Sequence, residues 1–198
     1  MLHAMDGLAN APDDDHLWEL AEQLAQGDIV SCRTLMSTLG CPAPEIVWSP
    51  LAGQLRAEPL WKTLEWWQAL PRRKLLPDPG QINPFDLKES LGVVSLLDVQ
   101  QGGQDFRYRL YGTQTSEAAD MEHTNKMVSM IDTPMRAFFL LGYRAVMKRQ
   151  QPLFTLHTPP YHVRASGWLR LILPFASGAQ VDRLLVVIVA CEPQPITA

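Results

Sequence analysis

Residues 93–113 read VVSLLDVQQGGQDFRYRLYGT, and this stretch gives the clearest indication of the fold. Residues 93–99 are apolar and rich in β-branched side chains, whereas residues 106–111 alternate between apolar and polar as a half-buried strand does. The Gln-Gly-Gly-Gln segment 101–104 between them has the composition of a turn. The stretch therefore predicts an antiparallel β-hairpin.

Helical patterns precede this hairpin. Residues 13–26 open with three aspartates that can cap a helix, and they continue with leucines on one stripe. A second helix is predicted to end at Gly40. Residues 42–59 contain four prolines and are interpreted as a linker. A tryptophan-rich third helix is predicted over residues 59–70, with a proline in its first position.

A second group of elements follows the hairpin. Residues 113–131 are mixed and polar, which is typical of short helices, and Thr133-Pro134 predicts the start of a long helix that reaches Arg149. The last two strands are predicted at about 161–174 and 181–191. The order strand, strand, short helices, long helix, strand, strand, strand predicts an α+β layer with a five-stranded antiparallel sheet.

The strands carry a second signal, because residues 93–97 and 184–189 are apolar on both alternating faces. Such strands are expected in a sheet that is covered on both sides. The inserted helices can cover only one face. The other face needs the tryptophan-rich helix, the acidic N-terminal helices or a second copy of the chain.

Composition and charge divide the chain into unlike parts. The 198 residues are 46% hydrophobic and 19% charged, which favours a folded domain with an extension. Residues 1–58 hold nine acidic and two basic side chains, and the rest of the chain holds twelve and fifteen. We therefore predict an acidic helical extension with a Pro-rich linker over 1–58, a domain over 59–192 and a short tail over 193–198. A dense Lys/Arg patch for nucleic acid is missing from the sequence.

The sequence favours a cytoplasmic location. Its longest apolar run, residues 184–190, has seven residues, far fewer than the ~20 that a membrane-spanning helix needs. The first residues lack the basic flank and apolar stretch of a secretory signal. The three cysteines are an odd number without a C-x-x-C spacing, so neither a disulfide framework nor a zinc site is indicated.

The order of elements resembles the PAS fold, and the local sequence is similar to the PAS-domain family common in alphaproteobacteria. The most specific segment is Phe-Arg-Tyr-Arg-Leu-Tyr-Gly-Thr at 106–113, which follows Leu-Asp-Val at 97–99. Weaker similarities lie in residues 67–84 and 168–185, so the resemblance covers about residues 59–192. One departure is Asn125 after a threonine, where the family often has glycine. Asparagine tolerates the left-handed backbone that such a glycine would adopt.

The resemblance implies a five-stranded sheet and a long helix that enclose a small cavity, used for ligand sensing or for signalling by dimerisation. It supplies no catalytic residues, and most members have no assigned ligand. We therefore expect a sensory module that binds a small ligand or a partner protein and is not an enzyme. A ligand-free dimerisation scaffold is the alternative, a homodimer is expected, and the cofactor is unknown.

Two groups of residues are candidates for a ligand site. Such cavities are mostly aromatic, although core packing is the more common role of aromatic side chains. The aromatic candidates are Tyr108, Phe138, Phe139, Tyr143 and Trp168. Arg107 and Arg109 share one face of a strand and are a candidate anion-binding pair. Their alternatives are a solvated sheet face or a link to the acidic N-terminal segment.

The histidines and cysteines give weaker signals. His157 and His162 bracket a Thr-Pro-Pro-Tyr turn and could meet across a hairpin to bind a metal. A structural zinc site needs further ligands at a regular spacing, so exposed turn histidines are the favoured interpretation. Cys41, Cys191 and His123 form no recognisable nucleophile–base pattern. The sequence thus predicts neither a metal site nor a catalytic site.

The N-terminal segment also suggests a different class of function. Residues 17–46 loosely resemble the opening of a winged helix-turn-helix, in which the next helix would read DNA. That helix would contain Pro44 and Pro50 and would have no Lys or Arg before Arg56. DNA binding is therefore the least favoured hypothesis, and the N-terminal residues are expected to pack or to pair.

Overall fold

The computed structural model describes residues 12–72, 74–159 and 167–191. Its helices are α1 Asp14–Gln26, α2 Ile29–Thr38, α3 Glu58–Ala69, α4 Thr113–Ala119 and α5 Arg136–Arg149. Its strands are β1 Glu45–Trp48, β2 Val94–Gln100, β3 Asp105–Leu110, β4 Leu153–His157, β5 Gly167–Phe175 and β6 Arg183–Cys191. The predicted α+β class is confirmed.

The described strands form one antiparallel sheet in the order β1-β4-β5-β6-β2-β3. The predicted hairpin is the pair β2–β3, in which Val99 lies opposite Phe106. The prediction of five strands is wrong, because the described part of the sheet has six. The additional strand β1 lies at the edge beside β4 and comes from the segment interpreted as a linker. Its prolines, Pro44 and Pro50, lie outside the strand and do not interrupt its pairing.

Both faces of the sheet are covered, as the apolar strands predict. All nine residues of the central strand β5 are buried. On the outer face, α3 packs against β5 and β6, and the indole nitrogen of Trp67 donates to the Pro174 carbonyl at 3.1 Å. Trp66 contacts Phe175 on the same face, with ring centroids 6.2 Å apart. The tryptophan-rich helix therefore supplies the cover for the outer face, and α5 lies on the opposite, inner face.

The N-terminal helices extend the layer formed by α5. Asp13 caps α1 by accepting from the His16 amide at 2.8 Å, and the buried leucines of α1 face α5. The indole nitrogen of Trp48 on β1 donates to the Leu24 carbonyl at 3.1 Å. This segment was expected to pack or to pair, and its described residues pack on the domain. The position after α2, where a DNA-reading helix would lie, forms β1 instead.

Several element boundaries differ from the prediction. The long helix begins at Arg136, three residues after Thr133. The strand predicted at 161–174 is observed over Gly167–Phe175, and residues 161–166 lie outside the described residues. The final strand begins at Arg183 and ends at Cys191. The predicted tail 193–198 lies outside the described residues.

No helix in the described part of the chain is long and apolar enough to cross a membrane. The longest of them, α5, has 14 residues, whereas about 20 are needed. The cytoplasmic location stays a prediction.

Candidate functional site

A cavity of about 60 Å³ lies between the inner face of the sheet and α5, and we call it the inner cavity. Strands β3, β4, β5 and β6, the beginning of α5 and the segment between α4 and α5 contribute its walls. The lining residues are Tyr108, Tyr111, Ala119, Met121, His123, Thr133, Met135, Phe139, His157, Pro159, Trp168, Arg170 and Ile188. The walls are mainly apolar and aromatic, with a small number of polar groups, as ligand sites in proteins commonly are.

Arg170 is the charged residue of this cavity. It lies at the centre of β5, between Thr155 on β4 and Ile188 on β6, and only 3% of it is exposed. Its guanidinium carbon is 4.3 Å from the Phe139 ring centroid, and its Nη2 donates to the Tyr143 hydroxyl. Its Nε has no hydrogen-bond partner among the described residues, and none of their carboxylates forms an ion pair with it. A buried arginine in this state is rare, because burial without a countercharge costs free energy.

Two tyrosines connect Arg170 to the rest of the site. The hydroxyl oxygens of Tyr108 and Tyr143 are 3.1 Å apart, so one donates to the other. Burial, together with the neighbouring Tyr143, raises the pKa of Tyr108 well above its ordinary value. The hydrogen bonds from Tyr108 through Tyr143 to Arg170 therefore link β3, α5 and β5 by two hydroxyls and one guanidinium.

The segment after α4 places His123 in the cavity. The amide of Asn125 donates to the Tyr108 carbonyl at 2.7 Å, and the Tyr108 amide donates to the Lys126 carbonyl at 3.0 Å. These bonds hold the His123 ring 5.7 Å from the Tyr108 ring and 4.8 Å from the Tyr111 ring. Asn125 adopts φ 64°, the left-handed conformation expected at this departure from the family pattern.

His157 occupies the opposite wall of the cavity. It ends β4 opposite Trp168, its ring centroid is 4.9 Å from that of Phe138, and only 4% of it is exposed. The interpretation of His157 as an exposed turn residue is wrong, because the residue still belongs to the buried strand. His162 lies outside the described residues.

Both cavity histidines are neutral at physiological pH. Burial, with a further effect from the Arg170 charge, lowers the pKa of His157 well below its ordinary value. Burial and the charge of Lys126 also lower the pKa of His123, although Glu122 opposes this shift. The Nδ1 atoms of both rings lack hydrogen-bond partners among the described residues. Arg170 is therefore the one cationic side chain that lines the cavity in the described structure.

The five predicted aromatic residues gather around this site, although they do not all line it. Tyr108, Phe139 and Trp168 form part of its wall. Tyr143 lies behind the wall and holds the Arg170 guanidinium, and Phe138 packs against His157. Their role in ligand binding stays a prediction.

Arg107 and Arg109 lie away from the inner cavity, on the outer face. Both form ion pairs with Asp98, at 3.1 and 2.9 Å, and Arg183 on β6 binds the same carboxylate at 3.0 Å. Burial alone would raise the pKa of Asp98, but hydrogen bonds from Arg109 and Arg107 and the Arg183 charge outweigh it and lower the pKa. The two arginines thus have an internal countercharge on β2, and no ion pair joins them to the described part of the acidic N-terminal segment.

Sequence reasoning missed Arg170, the central polar residue of the site. A usable signal was present, because Arg170 is a single charge within the otherwise apolar strand Trp168–Ile172. A charged residue in such a buried strand requires a partner or a function. The contributions of His123 and His157 had no comparable signal, since they depend on how distant segments meet.

The described residues offer no metal centre, because no group of three or more His, Cys, Asp or Glu side chains in them could hold an ion. Two of the cysteines are also poor nucleophiles. Burial raises the pKa of Cys41 to about 11 and that of Cys32 to about 12, so both thiols are protonated at neutral pH.

The antiparallel sheet, with helices α4 and α5 inserted between β3 and β4, is consistent with a PAS fold. A family model described as PAS domain matches residues 55–189, more than half of the chain. The chain therefore belongs to the PAS domain family. Comparisons with curated proteins and with solved structures gave no match.

Proposed function

We propose that this protein is a sensory module that binds a small ligand in the inner cavity. The observation that supports this proposal most strongly is the cavity itself, which combines apolar walls with buried polar atoms that lack partners in the described structure. Unsatisfied buried polar atoms are costly, and a ligand that bonded them would remove that cost. The absence of catalysis stays a prediction.

Helix α5 is the element through which we propose that ligand binding is transmitted. Tyr143 contacts Arg170 on the cavity side of this helix, and the next residue, Arg144, binds Asp14 of α1 at 2.6 Å. A ligand that moves the Arg170 guanidinium would therefore act on a helix that also anchors the N-terminal extension. Slower amide hydrogen exchange in α1 after ligand binding would support this route, and unchanged exchange there would contradict it.

Native mass spectrometry of the freshly purified protein tests the ligand proposal. We expect a bound small molecule that dissociates on denaturation. In Ala119→Leu, the larger side chain reduces the cavity and should reduce the bound fraction. Ala118→Leu is the matched control, because Ala118 is also half-buried on α4 but does not line the cavity. A ligand-free wild type that binds no compound from a small-molecule library would contradict the proposal.

A dimerisation scaffold is the second proposal. The two-sided apolar sheet does not require a second copy of the chain, because α3 of the same chain covers its outer face. Two exposed apolar side chains on the connection between α3 and β2 support it, because Phe85 is 86% and Leu75 69% exposed. Light scattering over micromolar concentrations should then show a dimer that Phe85→Ser weakens. A monomer at every concentration would contradict this proposal.

A further inference from the structure

The inner cavity has the chemistry of an anion site. Six buried side-chain N or O atoms lack hydrogen-bond partners among the described residues, and three of them, His123 Nδ1, His157 Nδ1 and Arg170 Nε, belong to residues of its lining. A fourth, Thr155 Oγ1, lies on the strand position opposite Arg170. Unpartnered polar groups are therefore concentrated at one place in the fold, which is unusual for a merely packed core.

The charge of this site is unbalanced. Arg170 is permanently cationic, and burial keeps the pKa values of His157 and His123 below their ordinary range, so that both rings are neutral. No carboxylate of the described residues forms an ion pair with Arg170. One negative charge in the cavity would therefore neutralise it, and a guanidinium suits a planar carboxylate because it can donate two parallel hydrogen bonds.

The volume of the cavity and the chemistry of its walls limit the range of ligands further. One water molecule needs roughly 10–15 Å³ of such a cavity, so about 60 Å³ holds a molecule of only a few heavy atoms. Met135, Phe139, Trp168 and Ile188 give the walls an apolar part that a short hydrocarbon chain can contact. A nucleotide or a large cofactor does not fit these dimensions.

We propose that the inner cavity binds small carboxylate monoanions with a short apolar chain, with Arg170 as the countercharge and His157 and His123 as neutral hydrogen-bonding groups. This inference rests on the proposed ligand-binding function and names its ligand class. The carboxylate stands beside Arg170 in β5, and the hydrocarbon part lies against Trp168 and Ile188.

Isothermal titration of the full chain with propionate and with propionamide, at constant ionic strength, tests the carboxylate class. The two probes have the same shape and differ in charge. We expect propionate to bind about tenfold or more tightly than propionamide, because only the carboxylate makes charge-assisted hydrogen bonds with Arg170. Equal affinities would overturn the inference but leave a ligand-binding cavity, so the proposed function would survive.

Variants assign the binding to Arg170. Arg170→Met should lower propionate affinity about tenfold or more and abolish the preference over propionamide. Arg33→Met is the matched control, since it removes an exposed arginine of α2 that does not line the cavity, and it should bind as the wild type does. If Arg170→Met does not fold, His157→Gln gives a second test, with a smaller loss of affinity for propionate. Unchanged propionate binding in folded Arg170→Met or His157→Gln would overturn the assignment. Tighter binding of inorganic phosphate than of propionate would overturn the carboxylate class.

Discussion

Arg144 and Arg170 are both buried, and each has one nitrogen without a hydrogen-bond partner among the described residues, yet only Arg144 has a countercharge there. Arg144 on α5 is completely buried and binds the Gly103 and Gln104 carbonyls at 3.1 and 2.8 Å and the Asp14 carboxylate at 2.6 Å. Arg170, 3% exposed, has one tyrosine hydroxyl and two aromatic rings as its neighbours. Arg144 therefore connects α1, α5 and the turn after β2 through a carboxylate and two carbonyls, whereas the hydrogen bonds of Arg170 reach α5 and β3 only through tyrosine hydroxyls.

This difference separates a stabilising arginine from one that is available to a ligand. A buried guanidinium with a carboxylate and two carbonyls has its desolvation largely offset. A buried guanidinium without a countercharge lowers the stability of the ligand-free protein, and such strain is common where function requires it.

The largest effect is expected at Arg144. Arg144→Met should lower the free energy of unfolding by about 3 kcal/mol, because the buried Gly103 carbonyl and the partly buried Gln104 carbonyl lose their donor and Trp18 loses the guanidinium stacked on it. Urea denaturation measures the change. Lys148→Met, one turn further along α5 and half-exposed, is the control and should change stability by less than about 0.5 kcal/mol. A similar loss in both variants would show that the buried contacts of Arg144 are not special.

A smaller loss is expected on the outer face. Asp98→Asn removes the countercharge of Arg107, Arg109 and Arg183 and should cost about 2 kcal/mol, since the carboxylate is nearly buried but its partners are partly exposed. Asp132→Asn on the surface is the control. High salt should screen the repulsion among the three arginines in the variant, and a loss that salt does not alter would argue against the electrostatic explanation.

The neutral histidines of the cavity predict a pH dependence. Folded His157 has a lowered pKa and stays neutral, whereas the unfolded chain gains a proton below about pH 6.5. Stability should therefore be independent of this group above pH 6.5 and fall as pH drops below it. His157→Gln should reduce that fall by about 1 kcal/mol between pH 6.5 and 5.5. The exposed His16→Gln is the control, and identical pH profiles for all three proteins would contradict the prediction.

The smallest effect, but the most informative sign, is expected at Arg170. Arg170→Met should leave the unfolding free energy of the ligand-free protein unchanged or raise it by up to about 1 kcal/mol, because an uncompensated buried charge is removed. Thermal and urea unfolding of the ligand-free protein, compared with Arg144→Met, provide the measurement. A loss as large as that at Arg144 would erase the contrast and give Arg170 a structural role.

Much of the domain was predictable from local patterns. The hairpin around residues 101–104, the long helix ending at Arg149 and the two-sided burial of β6 all follow from periodicity and turn composition. The strand β1 was not predictable, because its four residues lie between prolines and form a strand only by pairing with β4. A short edge strand carries too few residues for its alternation to be distinguished from a loop.

The candidate site was predictable only in part. Aromatic residues at inward strand and helix positions were expected near a cavity, and all five gather there. Arg107 and Arg109 were expected as an anion pair, but no local pattern indicated that Asp98 and Arg183 would lie beside them across two strands. The apolar residues around Arg170 in the sequence could have indicated its importance. The lack of a countercharge beside it could not be predicted, because it depends on tertiary contacts.

Periodicity and apolar stripes in the sequence predicted the PAS-type order of elements and a sheet covered on both sides, and they left open whether the N-terminal helices pack or pair. Which charges meet follows from the folded structure. Strand register set Asp98 among three arginines on the outer face and left Arg170 beside neutral tyrosine and histidine side chains on the inner one. Charge pairing depends on the distance between residues remote in sequence, and that distance exists only once the chain has folded.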